Sequence, residues 1–285
     1  MKISTLRKFA TALSLGGSLF ILPQLASAQA TCAPKPPALV EPGFLTIGTE
    51  LSAPPMGFVK DDKPAGFDVD IAVALAKAMC LEPKFVNLAF QGLFPALISK
   101  KFDLISSRVG ITDVRMQTFD FVPVFVGGLR LITKKDANLR FNTESDVCGV
   151  TVAIVAGSTQ MAALERVKGD CPAGKPMNMK VFAAMNETVH EVAKGSAQAA
   201  FIDWPVAAYL VQQNPNTYFE ASPILSGKAG ANTLRNRNGL VFRKGEDANR
   251  AAVDAAFKGL VQNGTYAEIL KKWNLDGGDV TKVTN

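Results

Sequence analysis

Apolar positions along the chain switch repeatedly between unbroken runs and stripes repeated every three or four residues. An unbroken run bounded by turn residues is typical of a buried strand, and a stripe at helical spacing is typical of an amphipathic helix. The clearest stripe comprises Phe67, Ile71, Ala74, Leu75 and Ala78. The first round of alternation predicts strands at Phe44–Thr49, Lys84–Leu88 and Asp103–Ser107, separated by the helix that carries this stripe and a helix at Gln91–Lys100.

A second round of the same alternation follows further along the chain. It predicts strands at Thr151–Val155, Lys180–Phe182, Ala199–Ile202 and Gly239–Arg243, helices at Met161–Val167 and Asn186–Lys194, and two closing helices broken at Asn263-Gly264. Thr265 and Glu268 have the spacing of a capping box for the last helix. Strands separated by helices of this length favour α/β lobes built on parallel sheets, and two rounds of about a hundred residues predict two lobes.

The first 28 residues have the layout of a secretory signal peptide. Lys2, Arg7 and Lys8 precede a largely apolar run, and Ala26-Ser27-Ala28 supplies the small residues of a cleavage site. The apolar run is shorter than the roughly 20 residues that a membrane-spanning helix needs. We therefore expect cleavage near Ala28, release into the periplasm, and an extended Pro-rich leader at residues 29–43.

Composition and charge exclude several classes of protein. With 48% hydrophobic and 20% charged residues, the chain is neither disordered nor a coiled coil. Three of its 31 basic residues lie in the signal segment, so the net charge of +6 falls to +3 without them. This excess is too small and too dispersed to indicate nucleic-acid binding. A single histidine, His190, argues against an imidazole metal site and against Ser-His-Asp chemistry.

Four cysteines agree with an oxidising destination, where disulfides persist. Three pairings are possible from the sequence alone. Cys148 and Cys171 bracket one strand and one helix, which favours that pair and leaves Cys32 with Cys80. No Cys-x-x-Cys spacing supports a metal site, and the sequence predicts no cofactor.

Polar and aromatic residues follow the predicted strands, which is where open α/β sheets bind their ligands. These residues are Glu50, Phe90, Ser107 to Arg115, Gly157 to Thr159, and Asp203. Thr112 can cap a short helix, and the planar guanidinium of Arg115 can hold a carboxylate by two hydrogen bonds. Asp203 suits an ammonium group. Each of these residues also has an ordinary structural interpretation. The alternatives are that Arg115 is a surface residue, that the Gly157–Gln160 turn and Asp203 are helix N-caps, and that Phe90 belongs to the core.

The order and spacing of these motifs resemble one family. Gly66–Asp70, Phe90–Leu97, Asp103–Ile105 with Ile111–Arg115, Gly157–Gln160, Asp203 and Gly264–Trp273 are similar to the polar amino-acid family of periplasmic solute-binding proteins that serve ABC importers. The resemblance extends over roughly Phe44 to Leu275.

The resemblance implies a two-lobed periplasmic-binding-protein fold in which the two lobes close around the ligand. Each lobe would be a mostly parallel sheet flanked by helices, with two crossing hinge strands between them. The implied lobes are 44–126 plus 232–275 and 127–231, followed by a tail at 276–285.

The resemblance also implies roles for single residues. The Arg115 position would hold the ligand's α-carboxylate, assisted by Gly110, Thr112 and Thr159. The Asp203 position would receive the α-ammonium, and the Phe90 position would pack on the ligand's side chain.

Three departures from the family pattern concern the ligand. Ala53 stands where many relatives have an aromatic residue before the proline pair. Arg108 stands where relatives often have a small residue, and Glu50 where relatives place an acid that can meet a cationic side chain. Glu50 favours a basic ligand and Arg108 an acidic one, unless the two residues neutralise each other.

Three functions follow as hypotheses. The first is a monomeric receptor that delivers an amino acid or similar small zwitterion to an ABC permease in the inner membrane. The second is a dehydratase-like periplasmic enzyme on the same fold, with Glu50 as the spare acid. The third is a ligand-binding partner of a sensory receptor.

Overall fold

A computed structural model describes Met1, residues 32–225 and residues 237–282. Apart from Met1, the predicted signal peptide lies outside the described residues. In the part of the chain that the structure describes, no helix is both long enough and apolar enough to cross a membrane.

The first lobe is built on a five-stranded sheet. In spatial order its strands are β5 (Glu82–Asn87), β1 (Phe44–Thr49), β6 (Leu104–Gly110), β13 (Arg237–Arg243) and β7 (Phe119–Val126). β1 pairs in parallel with β5 and β6, and β13 is antiparallel to β6 and to β7. Four of the five strands therefore run in one direction.

The second lobe repeats this plan. Its sheet has the order β10 (Asn178–Phe182), β9 (Thr151–Val155), β11 (Ala199–Asp203), β8 (Leu129–Lys134) and β12 (Tyr218–Glu220). Here β8 is the strand that runs against the others. The predicted α/β, two-lobed architecture with mostly parallel sheets is therefore confirmed.

Eight α-helices are present in the described residues. They are α1 (Phe67–Ala78), α2 (Phe90–Ile98), α3 (Asp113–Thr118), α4 (Thr159–Lys168), α5 (Met185–Ala193), α6 (Trp204–Gln213), α7 (Asp247–Gln262) and α8 (Thr265–Lys272). On α1, Phe67, Ile71 and Leu75 of the predicted stripe are at most 1% exposed, so the amphipathic pattern identified the buried face.

The chain passes from the first sheet to the second between Val126 and Leu129. Trp204 fixes this crossing, since its Nε1 donates to the Val126 carbonyl at 3.2 Å and its ring stacks on Phe125 with centroids 5.8 Å apart. The second predicted crossing and its boundary near residue 231 lie in 226–236, outside the described residues. The lobe boundaries stay a prediction.

Two disulfides connect the cysteines in the pairing that the sequence favours. Cys32–Cys80 fastens the start of the leader to the end of α1, and Cys148–Cys171 spans β9 and α4. The leader then packs across the first lobe, where Val40 N–H donates to Asp103 Oδ1 at 2.7 Å.

The structure differs from the predicted elements at several positions, including β7, β8 and β12, for which the sequence pattern predicted no strand. The predicted capping box at Thr265 and Glu268 is wrong, because α8 is preceded by Gly264 at φ +85°, and Thr265 N–H donates to Asn263 Oδ1 instead. A small three-stranded sheet was also not foreseen. It comprises β2 (Ser52–Ala53), β3 (Gly57–Lys60) and β4 (Lys63–Ala65).

Candidate functional site

A narrow cleft lies where strand ends of the two lobes meet. The first lobe lines it with Phe90, Arg108, Gly110 and Arg115, and the second with Val155, Ser158, Thr159, Gln160, Met185 and Asp203. Six predicted site residues are thereby brought together: Phe90, Arg108, Gly110, Arg115, Thr159 and Asp203.

Arg115 is held in the cleft by its backbone and by its guanidinium. The Thr112 hydroxyl accepts from Arg115 N–H at 3.2 Å and so caps α3, as predicted. The guanidinium donates to the carbonyls of Gly110 at 2.7 Å and Gly157 at 3.0 Å. Burial lowers the pKa of Arg115 to about 10, with Asp203 opposing the shift. Carbonyls carry no full charge, so this cation is suited to an anionic ligand group.

The aromatic ring of Phe90 forms one wall of the cleft. The residue is 5% exposed and begins α2, and its ring centroid lies 5.7 Å from Arg115 Cζ and 5.8 Å from Arg108 Cζ. The ring is therefore buried and also lines the cleft, and its contact with a ligand side chain stays a prediction.

Asp203 is the charged residue that the second lobe contributes to the cleft. It ends β11 and precedes α6, but its side chain makes no capping hydrogen bond. Its Oδ2 instead accepts from Arg108 Nε at 3.2 Å. Burial raises the pKa of Asp203, and the charge of Arg108 and a hydrogen bond from Gln160 oppose the shift.

Arg108 joins two acids from different lobes. Besides Asp203, it donates through Nη2 to Glu50, and its side chain is 2% exposed. Burial by itself lowers the pKa of Arg108, but the charges of Glu50 and Asp203 outweigh it and the net shift is upward. The structure therefore contains the neutralised Glu50–Arg108 pair that the sequence left as an alternative.

Glu50, Ser107 and Thr112 lie behind the lining of the cleft. The two carboxylate oxygens of Glu50 accept from the Ser52 hydroxyl and from Arg108. Ser107 Oγ accepts from Glu50 N–H at 3.1 Å and so fixes the end of β1. Direct ligand contacts of these three residues stay predictions.

The first turn of α4 faces the cleft from the second lobe. Ser158 is the N-cap, with its Oγ accepting from Met161 N–H at 3.1 Å. The free N–H groups of such a turn favour an anion. A Cβ at Gly110 would lie 2.9 Å from Thr159 Cγ2, so glycine allows the lobes to approach closely here.

Asp68 does not line the cleft but accepts the backbone N–H of Arg108, and it was not among the predicted site residues. It is 4% exposed near the start of α1, and its Oδ2 has no hydrogen-bond partner among the residues that the structure describes. Burial raises the pKa of Asp68 to about 7, and Arg108 opposes the shift. The sequence signal that could have identified Asp68 was its place in the Gly66–Asp70 motif.

Three residues that do line the cleft were also not predicted, namely Val155, Gln160 and Met185. Gln160 directly follows the predicted Thr159 and is 3% exposed. Val155 ends a predicted strand, which offered a weak signal. Met185 lies between predicted elements, and its sequence context offered none.

Comparison with known proteins gives consistent matches. The model of the family described as bacterial extracellular solute-binding proteins, family 3, matches residues 45–276. The L-cystine-binding protein TcyJ of Escherichia coli (strain K12) is 28% identical over 245 residues, which cover 85% of this chain and 86% of that protein.

Two solved structures match the fold over most of the chain. An ancestral arginine-binding protein bound to arginine is 31% identical, with a TM-score of 0.73 over 81% of this chain and 98% of that chain. The ancestral amino acid-binding protein AncCDT-1, a precursor of cyclohexadienyl dehydratase, is 28% identical, with a TM-score of 0.70 over 81% of this chain and 95% of that chain. Because the family model spans most of the sequence, this chain belongs to the bacterial extracellular solute-binding proteins, family 3.

Proposed function

We propose that this protein captures an amino acid in the cleft between its lobes and delivers it to an ABC permease. The observation that carries the proposal is the placement of Arg115 and Asp203 on opposite lobes of one cleft. A zwitterion can meet both groups at once, with its carboxylate on Arg115 and its ammonium on Asp203. Such a ligand contacts both lobes and stabilises the closed arrangement.

The relatives support an amino acid as the ligand class. TcyJ is named for L-cystine, and the ancestral structure holds arginine. In this chain, Phe90, Val155 and Met185 line the same cleft, and they offer an apolar contact surface to a ligand side chain.

Export to the periplasm, action as a monomer and delivery to an inner-membrane permease belong to the same proposal. The signal-like first 28 residues support export, and two disulfides suit an oxidising compartment.

The proposed activity is binding without catalysis. The dehydratase hypothesis needs an acid that is free to donate a proton, and the sequence offered Glu50 for that role. Both oxygens of Glu50 instead accept hydrogen bonds, one of them from the Arg108 guanidinium. Asp68, whose pKa burial raises to about 7, does not line the cleft. We therefore expect no turnover of a cyclohexadienyl acid in an absorbance assay.

A thermal-shift screen tests the proposal from the side of the ligand. The mature protein is first stripped of bound ligand by unfolding and dialysis, then screened against the twenty amino acids and L-cystine. A molecule that binds only the folded state raises the melting temperature. We expect at least one amino acid to do so, while its methyl ester and its deaminated acid do not. The absence of any shift, or equal shifts for all three forms, would contradict the proposal.

A further inference from the structure

Arg108 has an unusual backbone conformation for a residue with a long side chain. Its φ is +42°, in the left-handed region that disfavours side chains and favours glycine. Strained backbone of this kind concentrates at functional sites. Arg108 keeps this conformation and directs its guanidinium between two acids at a binding cleft. The combination indicates that the guanidinium has a functional role.

The charges around the cleft balance without a charged ligand side chain. Arg108 and Arg115 supply two positive charges, and Glu50 and Asp203 supply two negative charges. Asp68 is mostly uncharged at pH 6, because burial raises its pKa to about 7. A bound zwitterion keeps the balance, since its carboxylate pairs with Arg115 and its ammonium joins Arg108 between the two acids.

A charged side chain on the ligand would find no partner in this arrangement. Glu50, the acid that could meet a basic side chain, already accepts from Arg108 and from Ser52. Arg108, the base that could meet an acidic side chain, already pairs with both Glu50 and Asp203. Burying an unpaired charge is strongly unfavourable.

We propose that Arg108 is a specificity-determining residue that restricts the ligand to amino acids whose side chain is uncharged. Its guanidinium occupies the place at Glu50 that the cationic group of a basic ligand would need. This inference rests on the proposed amino-acid binding and adds the chemical class of the side chain.

Two isosteric pairs of amino acids test the selection directly. L-Citrulline is the uncharged counterpart of L-arginine, and L-glutamine is that of L-glutamate. Calorimetry of the wild-type protein at pH 6 should give the uncharged member of each pair at least a tenfold higher affinity. If no member of either pair binds, binding of another uncharged amino acid supports the inference equally. A preference for either charged member would overturn it.

The variant Arg108→Gln shows whether Arg108 causes this selection. Glu50 then lacks its cation, so L-arginine should gain at least tenfold in affinity relative to L-citrulline. Arg130→Gln is the matched control, because Arg130 also pairs with a glutamate, Glu220, but does not line the cleft. Arg130→Gln should keep the wild-type ratio of the affinities for L-arginine and L-citrulline. A ratio in Arg108→Gln within threefold of the wild-type value would overturn the inference.

A double variant keeps the test valid if Arg108→Gln does not fold. Glu50→Gln with Arg108→Gln removes the acid and its cation together, so it should fold and still prefer citrulline to arginine. A double variant that prefers arginine would count against the inference. Failure of this inference is separable from failure of the proposed function. Wild-type protein that binds arginine tightly refutes only the inference about Arg108. Wild-type protein that binds no amino acid refutes the proposed function.

Discussion

At the scale of single residues, the site combines buried acids whose surroundings differ. Glu50 and Asp203 each accept from Arg108, whereas Asp68 receives the Arg108 backbone N–H and leaves Oδ2 without a partner in the described chain. Removal from water disfavours the charged form of a carboxyl group. The burial of Asp68 therefore makes the stability of the protein depend on pH.

Asp68→Asn should remove that dependence. The unfolded chain loses the Asp68 proton near pH 3.8, while the folded chain holds it up to about pH 7. Between these values unfolding releases a proton, so the wild-type free energy of unfolding falls by up to about 1.4 kcal/mol per pH unit from this group.

Urea unfolding of both proteins at pH 5, 6 and 7 measures the effect. The stability of Asp68→Asn relative to wild type should rise steadily across this range. A difference between the two proteins that stays constant with pH would show that Asp68 does not titrate in this way.

The sequence predicted which residues supply the charges of the site better than it predicted which of those residues pair with each other. Arg115 and Asp203 follow strands, and strand ends of an α/β sheet gather at one edge. The pairing of Arg108 with Asp203 depends instead on how closely the lobes approach, and no local pattern reports that distance. The burial of Asp68 was hidden for a different reason, because it arises from packing of α1 against β6 within the first lobe.

At the scale of elements, short helices after strands supply the polar groups of the cleft. Thr112 caps α3 and Ser158 caps α4, and each helix places its first turn beside the cleft. The two helices come from different lobes, so the two ends of a small ligand meet separately supported groups.

Removal of the Cys148–Cys171 bridge should weaken the second lobe. The bridge closes a segment with a sequence separation of 23 that holds β9 and α4. In the chain-entropy account, the double variant Cys148→Ala/Cys171→Ala loses about 3 kcal/mol of unfolding free energy. Guanidinium unfolding under non-reducing conditions measures this, and a loss below about 1 kcal/mol would contradict the account.

Elements with a clear apolar run or stripe followed the sequence more closely than the shortest elements did. Two strands, Phe44–Thr49 and Thr151–Val155, have the predicted bounds, and the α1 stripe is buried as expected. The two-residue strand β2 and three-residue β4 carry too few positions for any period to be visible. The capping box at Thr265 failed because a glycine before it adopts the cap position.

At the scale of the whole molecule, contacts made by side chains join the two lobes around the cleft. Arg108 reaches Asp203, Arg115 reaches the Gly157 carbonyl at 3.0 Å, and Ser52 Oγ accepts from Met185 N–H at 2.9 Å. A ligand that bridges the same two lobes adds to these contacts. Its affinity therefore depends on side chains from both lobes.

Calorimetric titration of Arg115→Ala and Asp203→Ala tests the central claim most directly. The titrant is the amino acid that most stabilises the wild-type protein, and Arg130→Ala serves as the control. Each cleft variant leaves one ligand charge buried without its partner, which costs about 3 kcal/mol, or roughly a hundredfold in affinity. Arg130→Ala should bind as the wild type does. Wild-type affinity in both cleft variants would contradict the assignment of these residues to the ligand.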